Sequence, residues 1–263
     1  MSPADSPLID VTQFGGVAQL RFNRPEALNA LNVPMAEEFK AHVDRLIGTP
    51  SVRVLLIAGA GRAFMAGGDL KAFLMTPAEG RAQLSRRIII PLHQALLALA
   101  ESPLISIAAV HGAVAGAGMS IALGTDLALA SGDATFSFAY PKVAVSPDCG
   151  GSFWLTRVLG WRRAIEIALL AETLSASKAL EWGIINRVVG TEELMTAAES
   201  LAERLSKGPS RAYAATKRLL RQAGANSLRE QLDLERDSFA TLSAEPDFAV
   251  ALQSFFLTRA KSP

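Results

Sequence analysis

The sequence predicts an α/β fold followed by an all-helical C-terminal region. Short, wholly apolar β-branched runs alternate with helical segments, the pattern of parallel strands buried on both faces. Gly and Pro punctuate these runs, as at Pro50 and Gly59 around Val52–Ala58. From Glu192 onward the pattern is helical almost to the end.

Residues 8–22 read as a β-hairpin around Gly15-Gly16, a dipeptide suited to a tight primed turn. Asn32-Val33-Pro34 reads as a helix start, and Phe39, Val43, Leu46 and Ile47 supply that helix's apolar face. Val52–Ala58 is a buried strand, and a long helix runs from about Glu79 to Ala100. Ile105–Val110 and Leu127–Ala130 are further buried strands, and Thr135–Phe138 alternates like a strand. Ser175 caps a short helix that Gly183 ends, with a strand over Ile184–Val189. These elements divide the chain into a core, residues 1–191, and a helical association region, residues 192–263. The run Asp233-Leu234-Glu235-Arg236-Asp237 in the latter reads as a solvated face or an association surface.

Composition narrows the function. The chain has 263 residues, 50% hydrophobic, with 26 Lys and Arg against 25 Asp and Glu. That apolar content and near-neutral charge disfavour disorder and give no basic stripe for nucleic acid. The single cysteine, Cys149, excludes an intrachain disulfide, and the three widely separated histidines lack metal-ligand spacing. The N-terminus has no basic segment followed by an apolar stretch, so no secretory signal is read there. Leu104–Gly124 has no charged residue other than His111, but its many Ala and Gly fit a buried strand, turn and helix better than a membrane span. The expectation is a reduced, soluble, cytoplasmic protein.

One internal echo carries chemistry. Ile57-Ala58-Gly59 leads into Phe64-Met65-Ala66-Gly67-Gly68-Asp69, and Val110-His111-Gly112 leads into Ala115-Gly116-Ala117-Gly118. Each is a buried strand, a short loop and an Ala/Gly cluster opening a helix. Helix starts leave N–H groups unpaired, and small residues let a ligand reach them. Two facing clusters could hold one oxygen between two donors, an oxyanion hole. Close packing of strand and helix would use the same small residues.

Other motifs fail. Neither Gly59-Ala60-Gly61 nor Gly116-Ala117-Gly118 completes a dinucleotide fingerprint, and no phosphate-loop motif is present. Gly118-Met119-Ser120-Ile121-Ala122 is a weakened nucleophile elbow, but all three histidines precede Ser120. Cys149 reads as a small buried hydrophobe. Ser146-Pro147-Asp148-Cys149-Gly150-Gly151 places a carboxylate in a Pro/Gly loop before an apolar helix, either as a cap or as a base facing an apolar pocket.

These residues carry a resemblance. The sequence is similar to the enoyl-CoA hydratase/isomerase (crotonase) family over nearly its whole length. The carriers are Asn23-Arg24-Pro25-Glu26-Ala27-Leu28-Asn29-Ala30, Ala63-Phe64-Met65-Ala66-Gly67-Gly68-Asp69-Leu70 and His111-Gly112-Ala113-Val114-Ala115-Gly116-Ala117-Gly118. Asp126, Pro147-Asp148-Cys149-Gly150-Gly151 and Ala179-Leu180-Glu181-Trp182-Gly183 continue it in order. The resemblance implies a crotonase-like spiral of ββα units, a C-terminal helical oligomerisation region forming a homotrimer or a hexamer of paired trimers, and acyl-CoA thioester substrates. It implies no cofactor, since coenzyme A is part of the substrate, and no metal.

By the same resemblance, the backbone N–H groups of Gly68 and Ala117 are the oxyanion donors. Ala66, Asp69, Leu70 and Lys71 lie in the stretch lining the acyl-CoA site, and Arg24 and Ala27 lie in a loop near the nucleotide end. Arg259 matches a C-terminal basic residue that meets CoA phosphate from a neighbour. The two glutamates of the family's hydratases fall on Ser120 and Tyr140, which become pocket lining. Asp148 stands where some enoyl-CoA isomerases keep their single acid, and Asp69 and Asp126 also read as helix caps or braces. Pro147–Gly151 and Gln231–Asp237 are most similar to the ring-1,2-epoxyphenylacetyl-CoA isomerase branch. The expectation is an enoyl-CoA isomerase. A hydratase with one atypical acid, a non-catalytic acyl-CoA-binding homologue and a serine hydrolase are the rivals.

Overall fold

The computed structural model describes residues 7–259, with side chains as far as Leu257. The chain opens with the expected hairpin, β1 (Ile9–Phe14) antiparallel to β2 (Val17–Phe22). Next comes α1 (Val33–Ile47), whose N-cap Asn32 accepts the Met35 N–H at 3.0 Å. Three ββα units follow. The first is β3 (Val54–Gly59) and β4 (Ala63–Met65), then α2 (Leu70–Met75) and α3 (Ala78–Glu101). The second is β5 (Ile105–Val110), β6 (Ala113–Ala115) and α4 (Ala117–Gly124). The third is β7 (Leu127–Ser131), β8 (Thr135–Ser137) and α5 (Gly151–Leu170). After these come β9 (Thr173–Ser175), α6 (Ala176–Glu181), β10 (Arg187–Val189) and α7 (Leu194–Ser206).

The units coil because each contributes one strand to each of two sheets. First strands join a six-stranded sheet ordered β1-β2-β3-β5-β7-β10, and second strands join a four-stranded sheet ordered β4-β6-β8-β9. All pairs are parallel except β1–β2 and β8–β9. This is the crotonase-like spiral.

The unbroken apolar runs have a direct cause. Leu55 and Ile57 of β3 pack into the main core with Phe22, Phe39 and Phe64, whereas Val54, Leu56 and Ala58 face a second core. Phe22 meets Phe39 at a ring separation of 5.6 Å and Phe64 edge-on at 5.9 Å. Burying each such ring is worth about 1.5–3 kcal/mol.

The second core moves the domain boundary. Leu194, Ala198, Leu201 and Ala202 of α7 pack with Val54, Leu56, Ile107 and Leu129, so the first compact unit extends through Ser206. The boundary expected at 191/192 therefore falls before a helix that belongs to the core. The second unit, residues 207–263, holds α8 (Ser210–Ala223), α9 (Leu228–Ser243) and α10 (Pro246–Arg259). Ser227 and Glu230 form a capping box on α9. In the charge run, Arg236 pairs with Asp233 and Asp237 at 2.7 and 2.8 Å, all of them exposed, so these charges solvate one face. No helix among the described residues is long and apolar enough to cross a membrane, and Leu104–Gly124 is spent on β5, β6 and α4.

Candidate active site

The two Ala/Gly clusters lie side by side. A Cβ on Gly116 would sit 3.6 Å from the Gly67 Cα, and one on Gly67 would sit 3.4 Å from the Ala115 carbonyl oxygen. Both glycines have positive φ, +101° at Gly67 and +52° at Gly116, which L side chains rarely adopt. Each is followed by an unengaged amide. Around Gly68, Leu31 donates to the Gly67 carbonyl and accepts from Asp69 N–H, both at 2.8 Å. This parallel bridge uses the groups flanking Gly68 and turns its own N–H away. Ala117 is the first residue of α4, where no preceding turn can accept its N–H. Among the described residues neither amide donates a hydrogen bond. A Cβ at Gly68 would meet only open space within 4 Å.

Asp69 anchors the first cluster. Its Oδ1 accepts from Ala72 N–H at 3.0 Å, capping α2, and its Oδ2 accepts from Arg24 Nη1 at 2.7 Å. Partial burial alone would raise this carboxyl's pKa. The Arg24 hydrogen bond, the α2 amides and the Arg24 charge outweigh that and hold it below the usual range. Arg24 also donates to the Ala30 carbonyl at 3.1 Å, and its own N–H donates to Asn29 Oδ1 at 2.8 Å. Asn29, fully buried, donates through Nδ2 to the carbonyls of Ala60 and Ala63 at 2.9 and 2.8 Å. The loop holding Arg24 and Ala27 is thereby tied to the β3–β4 turn. Leu70, Lys71, Leu74 and Met75 of α2 are exposed, and Ala66 is half-buried.

The second cluster leads to the acid. One turn into α4, Ser120 Oγ lies 2.9 Å from Tyr140 Oη, which lies 2.5 Å from Asp148 Oδ1. Tyr140 Oη donates its one proton to Asp148 Oδ1, so Ser120 donates to Tyr140. Burial, and then the Asp148 charge, push the Tyr140 hydroxyl's pKa far up, so it stays a donor. The Cys149 thiol hydrogen-bonds the same carboxylate. The loop is tightly set: Gly151 N–H donates to the Asp148 carbonyl at 2.8 Å, and Cys149 N–H donates to His93 Nε2 at 3.0 Å. A Cβ on Gly151 would come within 2.3 Å of Ser120 Oγ, so only glycine lets α5 start against α4.

This arrangement meets known proteins on the same ground. The family model for enoyl-CoA hydratase/isomerase matches residues 12–262. The chain belongs to the enoyl-CoA hydratase/isomerase family. It is 37% identical to the 1,2-epoxyphenylacetyl-CoA isomerase of Escherichia coli K12, over 93% of each chain. It is 34% identical to the trans-2-decenoyl-[acyl-carrier-protein] isomerase of Streptococcus mutans, over 91% of each. A crystal structure of an enoyl-CoA hydratase from Polaromonas sp. JS666 superposes with a TM-score of 0.87 at 32% identity, covering 95% of this chain and 97% of that one.

The remaining residues singled out in the sequence have the following places. Ser120 and Tyr140 are both buried, and their hydroxyl protons point to Tyr140 and Asp148 respectively. Ser120 has no histidine partner, because His111 Nε2 lies 2.9 Å from the Gly61 carbonyl oxygen, which removes the serine-hydrolase constellation. Phe138 is wholly buried and packs edge-on against Tyr140 at 5.0 Å. Asp126 braces β5, accepting from Ser106 N–H and Oγ at 2.8 Å. Burial, then the Asp148 charge, raise the Cys149 thiol's pKa, so it stays protonated as a small hydrophobe. Arg259 ends α10, and its side chain lies outside the described residues. Asn29 and His93 are organising residues that pattern alone did not single out. Their partners lie 31 and 56 residues away, beyond the reach of local spacing.

Proposed function

We propose that the protein is an enoyl-CoA isomerase that shifts a double bond, or rearranges a ring epoxide, in an acyl-CoA thioester. The carrying observation is the chain Ser120–Tyr140–Asp148. It fills the two positions where the family's hydratases keep glutamates with hydroxyls, and it ends on a single carboxylate. Water activation by paired carboxylates is not available to that set. A proton shuttle needs only one.

In this mechanism Asp148 removes a proton from the carbon α to the thioester. The electron pair moves into the C–C–O system and charge collects on the thioester oxygen. The N–H groups of Gly68 and Ala117 hold that oxygen, each worth about 100- to 1000-fold in rate. The protonated Asp148 then returns its proton to the γ-carbon, which moves the double bond without net gain or loss of atoms. Tyr140, donating to Oδ1, orients the carboxylate for the transfer. Leu70, Lys71 and Ala66 rim the thioester side. Arg24 serves by holding Asp69 and the start of α2, with Ala27 on the same loop. Exposed Leu220, Leu228 and Phe239 of the helical unit support a homo-oligomer.

The test is a product assay with 3-enoyl-CoA and 2-enoyl-CoA. The reading expects interconversion of the two regioisomers. Accumulation of 3-hydroxyacyl-CoA without isomerisation would favour a hydratase, and tight binding without turnover a non-catalytic homologue.

A further inference from the structure

We propose that His93 is a positioning residue for Asp148, acting by accepting the Cys149 N–H. The inference rests on the reading of Asp148 as the proton shuttle. The peptide unit joining Asp148 to Cys149 is pinned at both ends. Its carbonyl accepts from Gly151 N–H at 2.8 Å, and its N–H donates to His93 Nε2 at 3.0 Å. Fixing that plane fixes the direction in which the Asp148 side chain leaves the backbone.

The pin is needed because the loop is strained. Cys149 has φ +51° and Gly150 φ +72°, two successive left-handed residues at the start of α5. A left-handed L residue relaxes unless its surroundings hold it. Gly151 and Tyr140 belong to the same stretch of chain as Asp148, whereas His93 reaches it from α3, an independent element of the spiral. A bond to Cys149 N–H requires a lone pair on Nε2, so the imidazole is neutral with its proton on Nδ1. With Nε2 so occupied, His93 is not itself the base.

Acyl-CoA binding does not pass through this bond, so loss should fall on kcat rather than KM. Small misplacements of a catalytic group cost up to about 100-fold. The experiment compares wild type, His93→Leu, His93→Gln and Asp148→Asn on 3-enoyl-CoA, with thermal unfolding of each. His93 is exposed, so either substitution is compatible with folding. Expected are a kcat about 10- to 100-fold lower in His93→Leu with KM within about threefold, and recovery to within about threefold of wild type in His93→Gln, whose amide oxygen can accept. Wild-type kcat in His93→Leu alongside an inactive Asp148→Asn overturns the positioning role and leaves the shuttle standing. Equal impairment in His93→Gln and His93→Leu, or a change in KM alone, also overturns it. Wild-type turnover by Asp148→Asn overturns the shuttle reading and this inference together.

Discussion

The paired amides and the Asp148 loop are built on opposite principles. Gly68 and Ala117 occupy equivalent places in two successive ββα units, and their donors are main-chain groups set by backbone conformation. Asp148 occurs once, in a loop without a counterpart, and side chains from α3, α4 and the Tyr140 turn hold it. On the proposed reading, a repeated fold supplies electrostatic stabilisation largely independent of side-chain identity, while the acid is a local addition held by side chains. The first site should be sensitive to backbone freedom and the second to functional groups.

The largest effect expected is at the acid. Asp148→Asn should lower isomerisation by about 1000-fold, within the range of general acid–base contributions, while acyl-CoA affinity, read by calorimetry, stays near wild type. Next comes the backbone site. Gly116→Ala forces an L residue into φ +52°, ψ −120°, and should cost about 1–3 kcal/mol in urea unfolding, with kcat down about 10- to 100-fold. Gly68→Ala, whose Cβ meets open space, should leave stability within about 0.5 kcal/mol and impair turnover only through the space it takes from the ligand.

Smaller effects separate support from chemistry. Tyr140→Phe removes the donor on Asp148 Oδ1 and the acceptor of the buried Ser120 hydroxyl. Stability should fall by about 1–3 kcal/mol and kcat by about tenfold, with KM little changed. The smallest effect is electrostatic. Asp69 is held below its unfolded pKa of about 3.9, so its contribution to stability is present above that value. It is lost as pH falls through the lower folded value. Asp69→Asn should flatten the stability profile in that acid window, read by denaturant midpoints from pH 5 downward.

What the sequence made legible follows the same division. The strands of the six-stranded sheet were readable because residues such as Leu55 and Leu56 are buried on opposite faces, leaving an apolar run with no polar break. The strands of the second sheet span three residues each, too short for a period to register, and of its four only β8 was visible, because the alternation continues past it to Phe138. Both Ala/Gly clusters could be found by their composition. Their adjacency could not, since it depends on Gly67 and Gly116 meeting across two units. The loop acid stood out through its Pro and Gly neighbours, while its supports, Ser120, Tyr140 and His93, come from 28, 8 and 55 positions upstream in the chain. The helical signal beginning at Glu192 was correct, but which core α7 would join depended on Leu194 and Leu201 finding the far face of β3 and β5.

The most direct test of the account is solvent deuterium exchange at the α-carbon of bound acyl-CoA, followed by mass spectrometry in wild type and Asp148→Asn. It reports enolate formation whatever the product. The account predicts exchange in the wild type and its loss in Asp148→Asn at unchanged acyl-CoA binding. Exchange that persists in Asp148→Asn, or turnover in the wild type without any exchange, would contradict it.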